Sequence, residues 1–292
     1  MNIRISPLKD IEMLSLFLEE MNTVPESHIG YCGETKEEIA NTLNHEFSDA
    51  DISQSFVVGC DEEKLIGALG LDIDKESKSA EVWGPFINNE GDYQLADSLW
   101  EKANALLTSE VKEFSFFVNI KNEFVQQFAI HKNAINKGNH LLLKAFRKDL
   151  GVVDLAQIES YDLAYKDSFM SLHEATFPNT YFNASEILDR LSDHNQLFVI
   201  NDNEGRIKGY VYVESNPERK EGSIEYIAVA ADYQKQGIGT LLIQAALSYL
   251  FSFDEIEEIS LSVAKENDKA NRLYKVAGFK EVHELIHYRI KE

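Results

Sequence analysis

The turn Gln234-Lys235-Gln236-Gly237-Ile238-Gly239 separates two regular segments of different type. The residues before it, 223–229, form an apolar run rich in β-branched and aromatic side chains, which predicts a strand. The residues after it, 240–246, predict a helix. The first N–H groups of a helix lack partners within the helix, and the helix dipole is positive there, so a glycine-rich turn at this point suits phosphate. The turn therefore predicts an enzyme that binds a phosphate-bearing ligand.

Length and composition predict two folded domains. The chain has 292 residues, which is long for one domain, and 44% are hydrophobic, including 17 Phe and 12 Tyr. The two cysteines, Cys32 and Cys60, are too few for a disulfide framework and favour a reducing, cytoplasmic setting. No signal peptide and no run long enough to span a membrane is expected.

The formal net charge of −22 limits the classes of partner. A chain this acidic repels polyanions, so we expect no nucleic-acid partner, and we expect no membrane partner either. The acidity either keeps the chain soluble or attracts a cationic amine substrate. The sequence leaves the oligomeric state open.

The two halves repeat a similar order of elements. In the first half we predict helices over 11–21, 35–47, 93–107 and 123–131, and strands over 2–6, 55–59, 65–73, 80–87, 114–120 and 140–146. In the second half we predict helices over 162–175, 184–191, 239–251 and 268–277, strands over 152–160, 197–201, 205–214, 223–229 and 259–263, and two extended pieces over 279–290. The hairpins predict an α/β (α+β) class with two mixed, mostly antiparallel sheets flanked by helices, in domains 1–147 and 151–292.

A second motif follows the predicted strand 259–263. It reads Asn267-Asp268-Lys269-Ala270-Asn271-Arg272-Leu273-Tyr274-Lys275-Val276-Ala277-Gly278-Phe279. The pattern Gln-x-x-Gly-x-Gly, followed by Asn-x-x-Ala-x-x-Leu-Tyr-x-x-x-Gly-Phe, resembles the GNAT N-acetyltransferase superfamily. The resemblance covers residues 152–292, and the element order over 1–146 resembles the same fold more weakly.

This resemblance implies acetyl-CoA as cosubstrate and no metal. Backbone N–H groups of the turn would cradle the pyrophosphate, because glycines allow close approach. The strand 223–229 would pair with the pantetheine arm, and a backbone donor there would stabilise the oxyanion. The implied cofactor-binding residues are Ile227, Ala228, Val229, Gln234, Lys235, Gln236, Gly237, Ile238, Gly239, Thr240, Asn267 and Asn271. The alternative for Asn267 is that it caps the helix N-terminus and does not contact the cofactor.

The resemblance assigns proton donation to Tyr274, and the place of Glu225 on the strand beside the acetyl group makes it the candidate base. In the family, a tyrosine at the position of Tyr274 acts as general acid to the leaving thiolate, and the usual tyrosine pKa of about 10 suits that task. The alternative is that Tyr274 is an aromatic residue that only packs. Glu225 would relay a proton from the amine through water. The alternative is that Glu225 is only a solvated carboxylate on the strand, in which case water alone acts as the base. Some relatives that modify protein N-termini carry Glu on the fifth strand near this site, where this chain has Ser262. This difference disfavours an N-terminal acetyltransferase.

The acceptor amine would lie near the first two helices of the second half. The substrate-lining candidates there are Glu174, Phe177 and Tyr181, together with His173 and Phe182. Ordinary packing between a helix and a loop explains the same cluster, so the identity of the amine stays open.

The segment His283-Glu284-Leu285-Ile286-His287 matches the zinc-protease string His-Glu-x-x-His. That chemistry requires a helix, which places both histidines on one face. The flanking residues predict a strand, in which the two side chains lie too far apart to share a metal. We therefore predict no metal site here.

The first half lacks the motifs of the second. After its strand 80–87 there is no Gln-x-x-Gly-x-Gly, and Glu90 and Asp92 place carboxylates where a pyrophosphate needs donors. Aligning Asn122 with Asn267 puts Ala129 opposite Tyr274, so the leaving-group acid is absent. This half is expected to keep the fold without a CoA site.

Together these features predict an acyltransferase that moves acetyl from acetyl-CoA to a primary amine by direct attack in a ternary complex. One alternative is an amino-sugar acetyltransferase similar to tandem family members that make mycothiol. The other is a sensor or regulatory module that binds acetyl-CoA without turnover. A proton donor at Tyr274 distinguishes an enzyme from a sensor.

Overall fold

A computed structural model describes residues 3–88, 92–202 and 204–291. Two residues used above, Asn2 and Glu90, lie outside this described part. The chain forms two compact units, which we call unit 1 (Met1–His140 with Glu284–Glu292) and unit 2 (Leu141–His283). This division differs from the sequence boundary near 147–151, and the assignment of domains by function stays a prediction.

Unit 1 begins with a strand and two helices and continues as a meander of strands. Its elements are β1 (Ile3–Pro7), α1 (Ile11–Asn22), α2 (Lys36–His45), α3 (Ile52–Ser55), β2 (Phe56–Asp61), β3 (Lys64–Asp74), β4 (Ser79–Ile87), α4 (Tyr93–Leu106), β5 (Glu113–Asn119), α5 (Glu123–His131) and the first part of β6 (Ile135–Phe146).

Unit 2 repeats this order. Its elements are the end of β6, β7 (Glu159–Ser160), α6 (Lys166–Thr176), α7 (Ala184–Asp189), β8 (Asn195–Asn201), β9 (Ile207–Asn216), β10 (Glu221–Val229), α8 (Ile238–Leu250), β11 (Glu258–Ala264), α9 (Asp268–Ala277) and the start of β12 (Lys280–Lys291).

The sheet of unit 1 has the strand order β1-β2-β3-β4-β5-β12. All these pairs are antiparallel except β4 and β5, which run parallel and pair only from Ser79 to Glu81. The last strand comes from the C-terminal end of the chain, since Leu285–Lys291 pair with β5. Apolar clusters cover both faces of the sheet, with Leu99, Phe116 and Phe128 in one and Ile39 and Trp83 in the other.

Unit 2 has the antiparallel strand order β10-β9-β8-β7, and β11 pairs with β6. Helices α8 and α9 pack on one side through Leu242, Leu250 and Ala277, and α6 and α7 pack on the other through Phe169 and Ile187. Both units therefore have a mixed, antiparallel-dominated sheet between helices, which confirms the predicted fold class.

Two stretches differ from the sequence prediction. Residues 152–158 are not a strand, because the Asp154 carboxylate accepts a hydrogen bond from the Ala156 N–H and bends the chain locally. Residues 280–291 form one continuous strand instead of two pieces, because the antiparallel ladder with β5 runs unbroken from Leu285 to Lys291. This strand contains both histidines of the His-Glu-x-x-His string, which confirms the extended conformation expected for it.

Among the described residues, no helix is long and apolar enough to cross a membrane.

Candidate active site

The glycine-rich turn of unit 2 forms an open cradle at the start of α8. Gly237 is the N-cap of that helix, with φ of 83°, and no side chain caps the helix there. A Cβ atom at Gly237 would meet no other atom within 4 Å, so the space above the turn is free. Exposed N–H groups beside free space at a helix N-terminus suit a phosphate group.

Side chains within the turn hold its shape. Nε2 of Gln234 donates to the Val229 carbonyl at 3.1 Å, and Nε2 of Gln236 donates to the Asp232 carbonyl at 3.2 Å. Lys235 has φ of 61°, a left-handed conformation that is uncommon for a residue with a Cβ. The glutamines therefore serve the turn itself, and residues 234–237 are exposed.

An open slot lies along β10. In the described part of unit 2, β10 pairs with β9 on one edge, and β11 is not its hydrogen-bonded neighbour on the other. The ladder with β9 shifts register between Ile224 and Tyr226, which leaves Glu225 as the extra residue of a β-bulge. Apart from the Val229 carbonyl, which accepts from Gln234, the backbone edge at Ile227–Val229 can pair with an extended amide chain.

Tyr274 lies on α9, a helix that packs against the start of α8. Leu273, the preceding residue, packs against Gly239, where a Cβ would lie 3.2 Å from its Cδ1 atom, so α9 lies against the start of α8. The Tyr274 ring contacts Phe279 edge-on at 5.5 Å between centroids, and no described residue hydrogen-bonds its hydroxyl. Burial raises the pKa of this phenol above its usual value of 10.0, so the hydroxyl keeps its proton near neutral pH.

The two asparagines of the second motif differ in environment. Asn267 is exposed and caps α9, with Oδ1 accepting from the Ala270 N–H at 3.2 Å. Asn271 is 8% exposed, and its Nδ2 donates to the carbonyls of Ala264 and Lys265 at 3.1 and 3.0 Å. Its buried Oδ1 has no partner among the described residues. Asn271 therefore fixes the end of β11, and Asn267 remains accessible to a ligand.

Comparison with known proteins identifies the family. The profile described as the acetyltransferase (GNAT) family matches residues 163–279, which contain the cradle, the slot and Tyr274. A relative named N-alpha-acetyltransferase, from Sulfurisphaera tokodaii, is 31% identical over 143 residues, covering 46% of this chain and 82% of the relative. The chain belongs to the GNAT acetyltransferase family.

Other GNAT proteins cover different shares of the chain. Spermidine N(1)-acetyltransferase from Escherichia coli K12 is 29% identical over 144 residues, or 46% of this chain and 76% of that protein. The crystal structure of a GCN5-related N-acetyltransferase from Sphaerobacter thermophilus matches 99% of this chain and 95% of its own, with a TM-score of 0.71 at 13% identity. A tandem GNAT protein from the clavulanic acid biosynthesis pathway matches 99% and 98%, with a TM-score of 0.61 at 15% identity.

Family membership makes this chain an acyltransferase, and acetyl-CoA is the cosubstrate of the family. The tandem GNAT fold extends over both units. Unit 2 fits that cosubstrate on its own geometry, since it combines an uncapped helix N-terminus beside free space with a free strand edge.

We predict the acceptor amine on the side of unit 2 that contains Glu225 and the residues around α6. Glu225 is exposed at the bulge. Glu174 is exposed on α6, and Tyr181 is 86% exposed. The Phe177 ring contacts His173 at 5.5 Å and Tyr226 edge-on at 5.2 Å between centroids. Ser262 is exposed on β11. The structure thus leaves two carboxylates and one phenol at the surface of this side.

A polar core that the sequence motifs do not indicate lies beneath these residues. His173 is 1% exposed, and Tyr226 and Tyr210 are buried beside it. Burial lowers the pKa of His173 below its usual 6.5, so the imidazole is neutral at neutral pH. Tyrosines alternating with apolar residues on β9 and β10 were the available signal, because a buried phenol requires a hydrogen-bond partner.

The corresponding slot of unit 1 is filled by the chain itself. One edge of β5 is occupied by β12, and the other edge pairs with β4 only near its start. Beyond that point His28–Gly30 take the free edge: Ile29 bridges Val118, and the Gly30 N–H donates to the Phe117 carbonyl at 2.6 Å. An added strand of protein therefore lies where the slot of unit 2 is open.

Buried asparagines hold this segment in place. Oδ1 of Asn22 accepts from the Ile29 N–H at 2.8 Å, and its Nδ2 donates to the Cys32 carbonyl at 2.8 Å. Nδ2 of Asn122 donates to the His28 carbonyl at 3.2 Å. The α4 N-terminus also differs from that of α8, because the Asp92 carboxylate caps it.

Proposed function

We propose that unit 2 transfers the acetyl group of acetyl-CoA to a primary amine by direct attack within a ternary complex. The observation that carries this proposal is the placement, in one compact unit, of the open cradle at Gly237, the bulged free edge of β10 and the unpaired hydroxyl of Tyr274. These features supply an anion site, a backbone edge for an amide chain and a proton donor.

Each group has a separate task in this reaction. The backbone of Gln234–Thr240 binds the pyrophosphate, Ile227–Val229 pair with the pantetheine, and Asn267 hydrogen-bonds the same arm. A backbone N–H of β10 donates to the thioester oxygen as negative charge develops there, an effect generally worth about 3 kcal/mol. The amine nitrogen bonds to the carbonyl carbon, the C–S bond breaks, and the thiolate takes a proton from Tyr274. The proton that the acylated nitrogen loses returns through water to the Tyr274 phenolate.

The attacking amine must first lose a proton. Glu225 is exposed at the bulge and is the nearest candidate along β10 to accept it through water. The surface carboxylates Glu225 and Glu174 also favour a cationic acceptor. The relatives named N-alpha-acetyltransferase and spermidine N(1)-acetyltransferase act, by name, on two kinds of amine, so this proposal extends to primary amines as a class.

A screen of acceptors with free-thiol detection tests this function. We expect thiol release from acetyl-CoA in the presence of spermidine, a short peptide with a free N-terminus, or glucosamine, and little release without acceptor. Mass spectrometry of the product should show one added acetyl group on nitrogen. If none of a broad amine panel releases thiol while acetyl-CoA still binds, the chain is a sensor of acetyl-CoA and this proposal is wrong.

We further propose that unit 1 keeps the GNAT fold without binding acetyl-CoA. The pairing of His28–Gly30 with β5 and the carboxylate cap at Asp92 support this, because both occupy positions that the cosubstrate uses in unit 2. Calorimetry is expected to give one acetyl-CoA bound per chain, and Asn22→Ala should leave that single high-affinity event intact. Two equivalent binding events per chain would contradict the proposal.

A further inference from the structure

The side chains of His173 and Tyr226 hydrogen-bond the backbone of one residue, Phe182, in the loop between α6 and α7. The N–H of Phe182 donates to the hydroxyl of Tyr226 at 3.0 Å, and the carbonyl of Phe182 lies 3.0 Å from Nε2 of His173. A carbonyl only accepts, so Nε2 carries the proton and Nδ1 accepts from the Tyr210 hydroxyl, 2.6 Å away. Both backbone groups of one loop residue are thereby fixed from below.

These contacts belong to a small set of hydrogen bonds that attach the loop to the rest of unit 2. Thr180 donates its hydroxyl to Tyr226 at 2.7 Å. In the described part of unit 2, the three hydrogen bonds that tie residues 178–182 to other segments all end on Tyr226 or His173. On either side, α6 ends at Thr176 and the capping box of Asn183 and Glu186 starts α7. These two side chains hold the loop together with the Arg190 guanidinium, which lies 4.1 Å from the centroid of the Phe182 ring.

Tyr226 and His173, which we call the clamp, are connected directly to β10. Tyr226 follows the bulge residue Glu225 on β10, and its ring contacts Phe177 and His173 at 5.2 and 5.0 Å between centroids. The backbone of the same strand supplies the slot edge at Ile227–Val229. One residue therefore links the strand that would bind the thioester to the loop that carries Tyr181.

Burial makes this linkage rigid. His173 is 1% exposed and Tyr226 is 9% exposed. Tyr226 belongs to the apolar cluster that contains Phe169, and the His173 ring contacts Phe169 at 5.8 Å between centroids. Hydrogen bonds in such surroundings are not exchanged with water, and a partner left alone there is costly. Neither side chain is free to take another role without releasing the loop.

We infer that Tyr226 and His173 are positioning residues that fix the 178–182 loop as one wall of the acceptor amine site. This inference rests on the proposed amine acetylation by unit 2. The two residues act through the loop and not on the reacting atoms, so they set affinity for the amine and leave acetyl-CoA binding to the cradle. Acetyl transfer itself proceeds through the groups described above.

The test compares Tyr226→Phe with Tyr249→Phe. The first removes the oxygen that accepts from Phe182 and keeps the ring. The second removes a hydroxyl of unit 2 that donates to the Asp193 carbonyl at 2.5 Å, on the α8 side and away from the loop. We expect Tyr226→Phe to raise KM for the amine about 10-fold, with kcat and the acetyl-CoA Kd changed less than about 2-fold. Tyr249→Phe should leave all three parameters near those of the parent.

A second pair of variants examines His173. His173→Gln keeps an N–H donor that reaches the Phe182 carbonyl, and His173→Leu removes it. The amine KM should therefore rise in His173→Leu and stay close to the parent value in His173→Gln. Hydrogen exchange without ligands gives a readout that needs no turnover, and the Phe182 amide should exchange about 10-fold faster in Tyr226→Phe than in Tyr249→Phe.

The probe amine is spermidine or the free-N-terminus peptide, whichever gives faster thiol release with the parent. If the parent is active and Tyr226→Phe leaves the amine KM unchanged, the clamp does not position the acceptor and this inference fails alone. A rise in the acetyl-CoA Kd equal to the rise in amine KM would also overturn it, because the effect would then be general. A parent inactive with every amine overturns the proposed function and this inference with it.

Discussion

Replacing Tyr274 with phenylalanine is expected to lower kcat for acetyl transfer by about 100-fold, the usual contribution of a positioned proton donor. The ring and its edge-on contact with Phe279 remain, so α9 keeps its packing. What disappears is a hydroxyl that no described residue hydrogen-bonds and that is therefore free to donate to the leaving sulfur. Stopped-flow thiol release at saturating acetyl-CoA and amine measures this directly.

The pH profile separates an acid from a packing residue. Burial raises the pKa of Tyr274 above 10.0, so the phenol is protonated at every pH below that value and the parent rate should not fall through loss of this proton until more alkaline pH. The Tyr274→Phe rate should lack that alkaline decline. Tyr249→Phe is the matched control, and the acetyl-CoA Kd should be unchanged in both. If Tyr274→Phe turns over at the parent rate, the general acid lies elsewhere or water fills that role.

Local signals were sufficient for much of unit 2. The turn at 234–239 was predicted together with its flanking strand and helix, because glycine at a positive φ and the onset of helical periodicity lie within a few residues of each other. Asn267 was predicted as an N-cap for the same reason, since a cap requires only its own side chain and a backbone N–H three residues on. Features that depend on neighbouring residues are readable without tertiary structure.

Features that depend on distant partners were not readable. The pairing of His28–Gly30 with β5 requires a free strand edge and the buried amide of Asn22, none of which is adjacent in sequence. The continuous β12 arises from its ladder with β5, and the residues between them number more than half the chain. Conversely, residues 152–158 were apolar enough for a strand, but a single carboxylate hydrogen bond at Asp154 turned the backbone.

The same distinction applies to the candidate site. Gly237, Tyr274 and Asn267 were singled out from motifs, and the structure brings the helices that carry them together through the contact of Leu273 with Gly239. Their roles in binding and proton transfer stay predictions. The bulge at Glu225 and the clamp on Phe182 emerged only from the ladder register and the buried hydrogen bonds.

Replacing Gly237 with leucine is expected to weaken acetyl-CoA binding by at least about 100-fold, equivalent to about 2.7 kcal/mol. A side chain here would project into the space that is free above the turn, and it would keep the diphosphate from the backbone N–H groups of the cradle. Loss of two charge-assisted hydrogen bonds is sufficient for this effect. Calorimetry with acetyl-CoA measures it.

Backbone strain must be separated from loss of the cradle, and the chain offers a matched glycine for this purpose. Gly205 has φ of 78°, close to the 83° of Gly237, and a Cβ there would also meet nothing within 4 Å. Leucine at either position costs about 1–2 kcal/mol of stability for the left-handed conformation, so thermal unfolding should shift alike in the two variants. Only Gly237→Leu should lose affinity. Equal affinities in the two variants would mean that the diphosphate is not bound at the start of α8, and the assignment of the cradle would be wrong.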